Sequence, residues 1–410
     1  MLYDVIIVGA GAAGLMAAIQ AAQGGLKVLL LEGQKKVGAK ILMSGGTRCN
    51  VTNKTVTEKD FNSEKIIYVR NILRSFSNTD TIEFFKELGV ELILEPTGKY
   101  FPTSNSGKTV LDALLRKLSA LNVPLLVEHK VQAVNLANNE FTVKGEGFHF
   151  NGKAVVLTTG GLSYPTTGSD GTGYRLAQAF GHPMIETFPA LTPLISQDKE
   201  LKSLSGITLE AGLTLTCDGK KAFSYRDSFL FTHFGFSGPA VLDISRHYLH
   251  AQGKKKILAN FVPDYDENSF VDFLSKVQQK APRKTLRNVL IEMMPQRLVD
   301  IILKKAGIDE ALIMNQLDKV SRGRLIERCV HYPLDVTGVL GYSKAEVTAG
   351  GIDFAEINPK TLESKLVPGL FFAGEILDVD GRIGGFNFQW AWASGYAVAQ
   401  AIIKKRESFK

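Results

Sequence analysis

The first thirty-two residues constrain the fold more than any other stretch of the chain. "LYDVIIV" (residues 2–8) is a short apolar run rich in β-branched residues, the pattern of a parallel strand buried on both faces. Gly9, Gly11 and Gly14 follow in the spacing G-x-G-x-x-G, and "LMAAIQAAQGG" then reads as a helix stopped by Gly24 and Gly25. "KVLLLE" (27–32) is a second buried strand ending in Glu32. In such a unit the first glycine permits a tight turn, the second lets backbone approach a pyrophosphate, and the third lets helix pack on strand. The helix N-terminus, with Ala12 and Ala13, offers unpaired N–H groups and a positive dipole end to phosphates. Glu32 lies 18 residues after Gly14, where a carboxylate accepts hydrogen bonds from a ribose diol and repels a 2′-phosphate. The competing reading is a glycine turn in an ordinary α/β fold.

The chain has 410 residues, more than one hydrophobic core usually serves, so two or three domains are expected. With 45% apolar and 22% charged residues it has the composition of a soluble globular protein. No apolar run approaches the ~18 residues that span a bilayer. Asp4 and Gly9 interrupt the N-terminal run and no basic segment precedes it, so it does not read as a signal peptide. A cytoplasmic protein is expected. Cys49, Cys217 and Cys329 are too few and too scattered for a disulfide framework or a metal site. The net charge of +7 and pI near 9.0 suit anionic partners, but the basic residues are dispersed. The longest basic runs are 254–256 and 404–406. Dispersal counts against a nucleic-acid partner and favours a small-molecule substrate. The oligomeric state is left open.

Further along, 80–88 reads as a helix capped by Asp80, and 108–121 as an amphipathic helix. Strands are expected at 123–127, 130–135, 140–144 and 153–158. From 206 to 232 apolar and polar residues alternate, which suggests antiparallel strands. Residues 267–328 read as several helices, and strand- and glycine-rich texture then returns. "GLFFAGE" (369–375) is a buried strand ending in a glycine and an acid. "GRIGGFNFQWAWASG" (381–395) has a Gly-Gly turn leading into a helix-forming segment. An acid after such a strand can bind ribityl hydroxyls, and a helix N-terminus can stabilise negative charge on a reduced flavin. A domain for NAD alone has no use for this second element, so FAD is the expected cofactor.

The segments "VIIVGAGAAGLMAA", "GAKILMSGGTRCNVTN", "GKYFPTSNSGKTVLDALL", "LTTGGLSYPTTGSDGTGYRLAQAFGH", "FTHFGFSGPAVLDIS" and "FFAGEILDVDGRIGGFNFQWAWASG" run nearly the whole length. Together they resemble flavoproteins of glutathione-reductase-type topology, and more narrowly the HI0933/YhiN-type (BaiN-like) family of FAD-dependent, NAD(P)-linked oxidoreductases. The resemblance implies an α/β fold: a Rossmann-like FAD-binding domain from residues 1–190 and 335–410, a β-rich insert at 191–263 and a helical insert at 264–334. It implies hydride transfer between a small molecule and NAD(P)H. The cofactor contacts it implies are Gly9, Gly11, Ala12, Ala13, Gly14, Glu32, Gly33, Gln34, Lys40, Ile41, Ser44, Gly45, Thr47, Arg48, Cys49, Asn50, Val131, Thr159, Gly160, Gly374, Glu375, Asp380, Gly384, Gly385, Phe386 and Asn387.

Glutathione-reductase-like enzymes carry a redox cysteine pair in a loop like "SGGTRCN" (44–50). Here the position five residues after Cys49 is Lys54, so a dithiol mechanism is not expected. Cys49 reads instead as a small buried hydrophobe. Gly171, Gly173 and Ala177 mimic a second fingerprint without a preceding strand, so NAD(P)H is expected to dock only transiently. His233 is read either as a packed or backbone-bonded histidine or as a polar group at the substrate mouth. Arg382 is a candidate anchor for an anionic substrate or a nicotinamide phosphate. It replaces the aromatic that the family often has before the Gly-Gly turn. Two other readings stay open: a flavoprotein acting on tRNA, and a non-catalytic flavin-binding redox module.

Overall fold

The computed structural model describes residues 1–407, which fall into two compact units. The first joins residues 1–189 to the chain from Glu346 onward; the second is Ala190–Ala345.

The first unit is built on β1 (Leu2–Val8), α1 (Ala12–Gln23) and β2 (Val28–Leu31). All four residues of β2 are buried, as are Ile6, Ile7 and Val8 of β1, which places both strands inside the sheet. The sheet runs Leu125–Leu126, β2, β1, Phe148–Leu157, Glu140–Gly145, Val131–Ala137, and Leu370–Phe372 pairs with Phe148–Leu157. Phe148–Leu157 has a divided edge. Residues 148–152 bond the antiparallel hairpin strand and residues 155–157 bond the late strand in parallel. The parallel register aligns Val8 with Leu31 and Leu157, and Leu157 with Phe372. The loops that follow, at Gly9, Glu32, Thr158 and Ala373, therefore leave the same edge of the sheet, where α/β folds bind ligands.

The long helix Phe386–Glu407 packs on α1. Gly395 makes that approach possible, because a Cβ there would lie 2.5 Å from the Ala13 carbonyl oxygen. Trp390 Nε1 donates to the Gly374 carbonyl at 3.0 Å, tying the helix to the loop after the late strand. The helix expected at 80–88 is Asn78–Glu87 and starts earlier than expected. Ser77 is its cap, and the Asp80 carboxylate returns a bond to the Ser77 N–H at 2.7 Å. Asp80 thus serves three residues inside the cap as the other half of the capping box.

The second unit has a seven-stranded sheet in the order Tyr332–Leu334, Lys255–Asn260, Thr208–Cys217, Lys220–Thr232, Gly235–Ser237, Leu194–Ile195, Gly338–Val339, with antiparallel pairings. Phe229, Phe231, Phe236 and Phe261 from its strands and Phe270, Leu290 and Leu298 from its helices belong to one hydrophobic cluster. The β-rich and helical stretches of the insert thus share a core. Among the described residues no helix is long and apolar enough to cross a membrane.

Candidate functional site

The glycine turn after β1 is fixed by contact. Gly9 has φ +107°, and its N–H donates to the Leu31 carbonyl at 2.8 Å. Thr158 Oγ1 donates to the Gly9 carbonyl at 2.7 Å and to that of Val8 at 2.9 Å. A Cβ at Gly14 would sit 1.9 Å from the Gly9 oxygen, so helix and strand meet only because that atom is missing. A Cβ at Gly11 meets no protein atom within 4 Å, so that side of the turn is open for an incoming group. Glu32 faces the same turn. Its carboxylate accepts from the Ala10 N–H at 2.9 Å and the Gln34 N–H at 2.8 Å. Burial pushes its pKa above the ordinary carboxylate value, and these backbone donors pull it back in part. Gly33 lies against Lys130, and Val131 is buried at the start of the next strand.

Residues 38–50 form a compact loop around the short helix Ala39–Met43, on which Ile41 is buried. Gly45, Gly46, Thr47 and Cys49 all have positive φ. Lys40 Nζ donates to Glu375 Oε2 and to Ser163 Oγ, each at 2.7 Å. Glu375 Oε1 accepts from Ser163 Oγ at 2.8 Å and from the Thr348 N–H at 3.0 Å. Thr348 Oγ1 in turn accepts from the Leu162 and Ser163 N–H groups. Four segments distant in sequence thus converge on one lysine–carboxylate pair. Ser163 and Thr348 escaped the sequence reading; nothing local to either marks it.

Ser44 Oγ bonds the Ile41 carbonyl within the loop. The Arg48 guanidinium lies 3.9 Å from the Phe101 ring centroid and bonds Glu95 at 2.6 Å. Cys49 is fully buried, and burial pushes its thiol up to about 12. All three cysteines are free. A thiol that stays protonated at neutral pH is a poor nucleophile.

Two buried polar atoms lack partners here: Asn50 Oδ1 and Thr159 Oγ1. Such atoms are costly unless a ligand or water meets them. Asn50 Oδ1 borders the Gly-Gly turn, since a Cβ at Gly385 would lie 2.7 Å from it. Gly160, next to Thr159, has φ +72°, and Gly374 has φ +80° with Ala13 close against it. The Gly384 carbonyl accepts from Asn53 Nδ2 at 2.9 Å. Asn387 bonds both backbone groups of Gly381, and Asp380 is buried and accepts from Asn62 Nδ2 at 3.0 Å. Arg382 is engaged within the protein. It pairs with Asp60 at 2.8 Å and lies 4.5 Å from the Phe386 ring. His233 belongs to the second unit, exposed in the turn between Thr232 and Gly235, and its ring is 5.0 Å from that of Phe234. It is not the packed histidine of the first reading. Gly171 caps the seven-residue helix Thr172–Gln178, again with no strand before it.

An open glycine turn, a diol-ready carboxylate and two unpartnered buried polar atoms fit a dinucleotide cofactor. The model of the HI0933-like protein Rossmann domain matches residues 3–401. The chain is 35% identical to a ribosomal RNA dihydrouridine synthase of Haemophilus influenzae, over 98% of each chain. It is 32% identical to a 3-dehydro-bile acid delta(4,6)-reductase of Clostridium scindens, over 97% of this chain and 98% of that one. The fold is similar to a crystal structure of 3-ketosteroid delta1-dehydrogenase from Sterolibacterium denitrificans, with a TM-score of 0.51, 13% identity and 98% and 100% coverage.

Proposed function

Since the chain belongs to the HI0933-like family and is an FAD-dependent oxidoreductase, we propose that it reduces a carbon–carbon double bond conjugated to a carbonyl, with NAD(P)H as reductant and a uracil base of ribosomal RNA as substrate. The observation that supports this best is full-length similarity to two enzymes whose named reactions share one piece of chemistry. Saturating the 5,6 bond of uracil and saturating a dienone of a bile acid both reduce an alkene polarised by a carbonyl. The sequence reading counted the dispersed basic residues against nucleic acid but kept a flavoprotein acting on tRNA open; the ribosomal RNA relative favours an RNA substrate. A small enone is the second reading, favoured by the bile-acid relative. A ribosomal RNA substrate supports the cytoplasmic location that the sequence reading expected.

FAD, when bound, supplies two-electron transfer between nicotinamide and substrate. The residues that would hold it are those at the strand ends. The N–H groups of residues 11–14 would hold the pyrophosphate, and Glu32 would accept from the adenine ribose diol. Gly33, Gln34 and Val131 border that end. Thr159 Oγ1 and Asn50 Oδ1 supply the unpartnered polar atoms, and Gly160, Gly374, Gly384 and Gly385 keep the backbone close. Lys40 and Glu375 hold each other, so a ligand hydroxyl meets a fixed carboxylate with its charge already compensated. Arg382, already held by Asp60, shapes the Gly-Gly turn and is a poorer candidate for anchoring substrate.

The test is direct. Purified protein, FAD and NADH are incubated with in-vitro-transcribed, unmodified ribosomal RNA, and the digested nucleosides are weighed by mass spectrometry. A uridine that has gained two hydrogens supports the reading. Reduction of a 3-oxo-Δ4 steroid with no change in RNA favours the small-molecule reading, and neither reaction overturns both.

A further inference from the structure

The second unit carries most of the molecule's net positive charge. Residues 190–345 hold 22 Lys/Arg against 17 Asp/Glu, a net +5, while the rest holds 26 against 24. Most of the unit's bonded cations are neutralised in place. Lys304 and Lys305 bond Glu200 and Asp198, Arg226 bonds Glu210 and Asp264, and Arg287 bonds Asp300. One end of the sheet differs. The hairpin between Thr208–Cys217 and Lys220–Thr232 turns at Asp218, and Lys220 and Lys221 open its second strand. On the other side of the hairpin, Lys255 pairs with Cys217 and Lys256 with Thr216; Lys220 and Lys221 pair with the same two residues. Cross-strand partners share a face, so Lys221 and Lys256 flank Thr216 on one face, roughly 10 Å apart by strand spacing. Lys254 lies beside them at the neighbouring turn, its N–H bonded to Asp218 Oδ1 at 2.9 Å.

Lys220, Lys221, Lys254 and Lys256 are exposed and make no ion pair among the described residues. The aromatic rings at this end belong to the other face: Phe223 pairs with buried Leu215 and stacks on His247, and Lys255 lies 4.7 Å from the Tyr248 ring. Thr214, Thr216 and Ser224 line the strand face that carries Lys221 and Lys256. Unneutralised lysines beside strand hydroxyls form a footprint for a phosphodiester backbone.

We infer that this end of the insert sheet docks the RNA substrate through its phosphates, an inference that rests on the RNA reading above. The lysines contact backbone and the strand hydroxyls add phosphate bonds. The surface thus supplies affinity without base readout, and recognition of the target base is left to the flavin-binding unit.

The experiment follows fluorescence anisotropy of a labelled ribosomal RNA stem-loop across salt concentrations, with holoenzyme. The variant K220A/K221A/K254A/K256A is expected to bind on the order of 100-fold more weakly, with a log–log salt slope shallower by about 3. Its bound flavin and its bleaching by NADH stay at the wild-type level, which reports an intact fold. A control that removes exposed helical lysines, K276A/K280A/K319A, is expected to bind within about threefold of wild type. Equal affinity and slope in the quadruple variant overturn the surface while leaving the RNA reading standing. An equal loss in the control overturns it too, as a net-charge effect. Wild-type protein that binds no RNA at low salt overturns the RNA reading itself.

Discussion

The two units use the same elements for opposite ends. In the first, chemistry is held in backbone geometry: glycines at strand ends, carbonyls within touching distance, polar atoms buried without partners. In the second, exposed lysines gather at a sheet end and the buried polar groups are few. The glycine turn of the first unit therefore admits no methyl at Gly9 or Gly14, whereas the lysine end of the second is sensitive to charge. Where a site is made by missing atoms, substitution fails by collision; where it is made by charge, substitution fails by degree.

The sharpest test of that contrast lies inside the glycine turn. Gly14→Ala forces a Cβ to 1.9 Å from the Gly9 oxygen, so it is expected to cost more than about 3 kcal/mol and to yield little flavin-bearing protein. Gly11→Ala adds the same methyl where no protein atom lies within 4 Å. Its melting temperature without cofactor is expected to match wild type while FAD affinity falls at least about tenfold. Equal melting losses in the two variants would break the comparison, because the turn would then be merely structural at both positions.

Next in size is the Lys40–Glu375 pair, whose side chains are 27% and 18% exposed. Lys40→Met leaves Glu375 with Ser163 and Thr348 alone. It is expected to destabilise by about 1–2 kcal/mol, a buried-pair loss discounted for partial exposure. Glu375→Gln keeps a hydrogen-bonding group, and the double variant K40M/E375Q is expected to recover part of the single Lys40→Met loss. Chemical denaturation of wild type and the three variants without cofactor measures the coupling.

The second unit's answer to pH comes from His247. Burial, with Arg246 and His250 adding, holds its imidazole down at about 4 against an ordinary 6.5. Between these values the unfolded chain binds a proton that the native one refuses. Stability is therefore full above pH 6.5 and falls as pH drops toward 4. The expected loss is on the order of 2 kcal/mol. Urea midpoints at pH 7 and pH 5 measure it, and His247→Phe, which preserves stacking on Phe223, is expected to flatten the difference. The smallest effect belongs to Cys49: Cys49→Ala is expected to leave turnover within about twofold, because a buried thiol held near 12 carries no redox step.

How much of this was legible in the sequence follows the same division. The glycine turn and Glu32 could be read because their chemistry is local: a strand, three glycines at fixed spacing and an acid one strand later. Lys40 and Glu375 were named separately, but nothing announced that they pair across 335 residues, nor that Ser163 and Thr348 complete the network. Asp60 was invisible for the same reason. It earns its place by bonding Arg382 across 322 positions, which removes that arginine from the list of free anchors. Ser77 was passed over because Asp80, three residues on, carries a stronger local signal, and the two turn out to be halves of one box. The lysines of the insert look dispersed along the chain; only antiparallel pairing brings 220–221 beside 254–256.

One measurement bears on the whole reading: the visible spectrum of the purified protein during anaerobic titration with NADH, followed by anaerobic addition of unmodified ribosomal RNA. The expected result is one flavin per chain, bleached by NADH and restored by RNA. No flavin retained after reconstitution with FAD would contradict the cradle. A flavin bleached by NADH and left bleached by RNA would contradict the substrate.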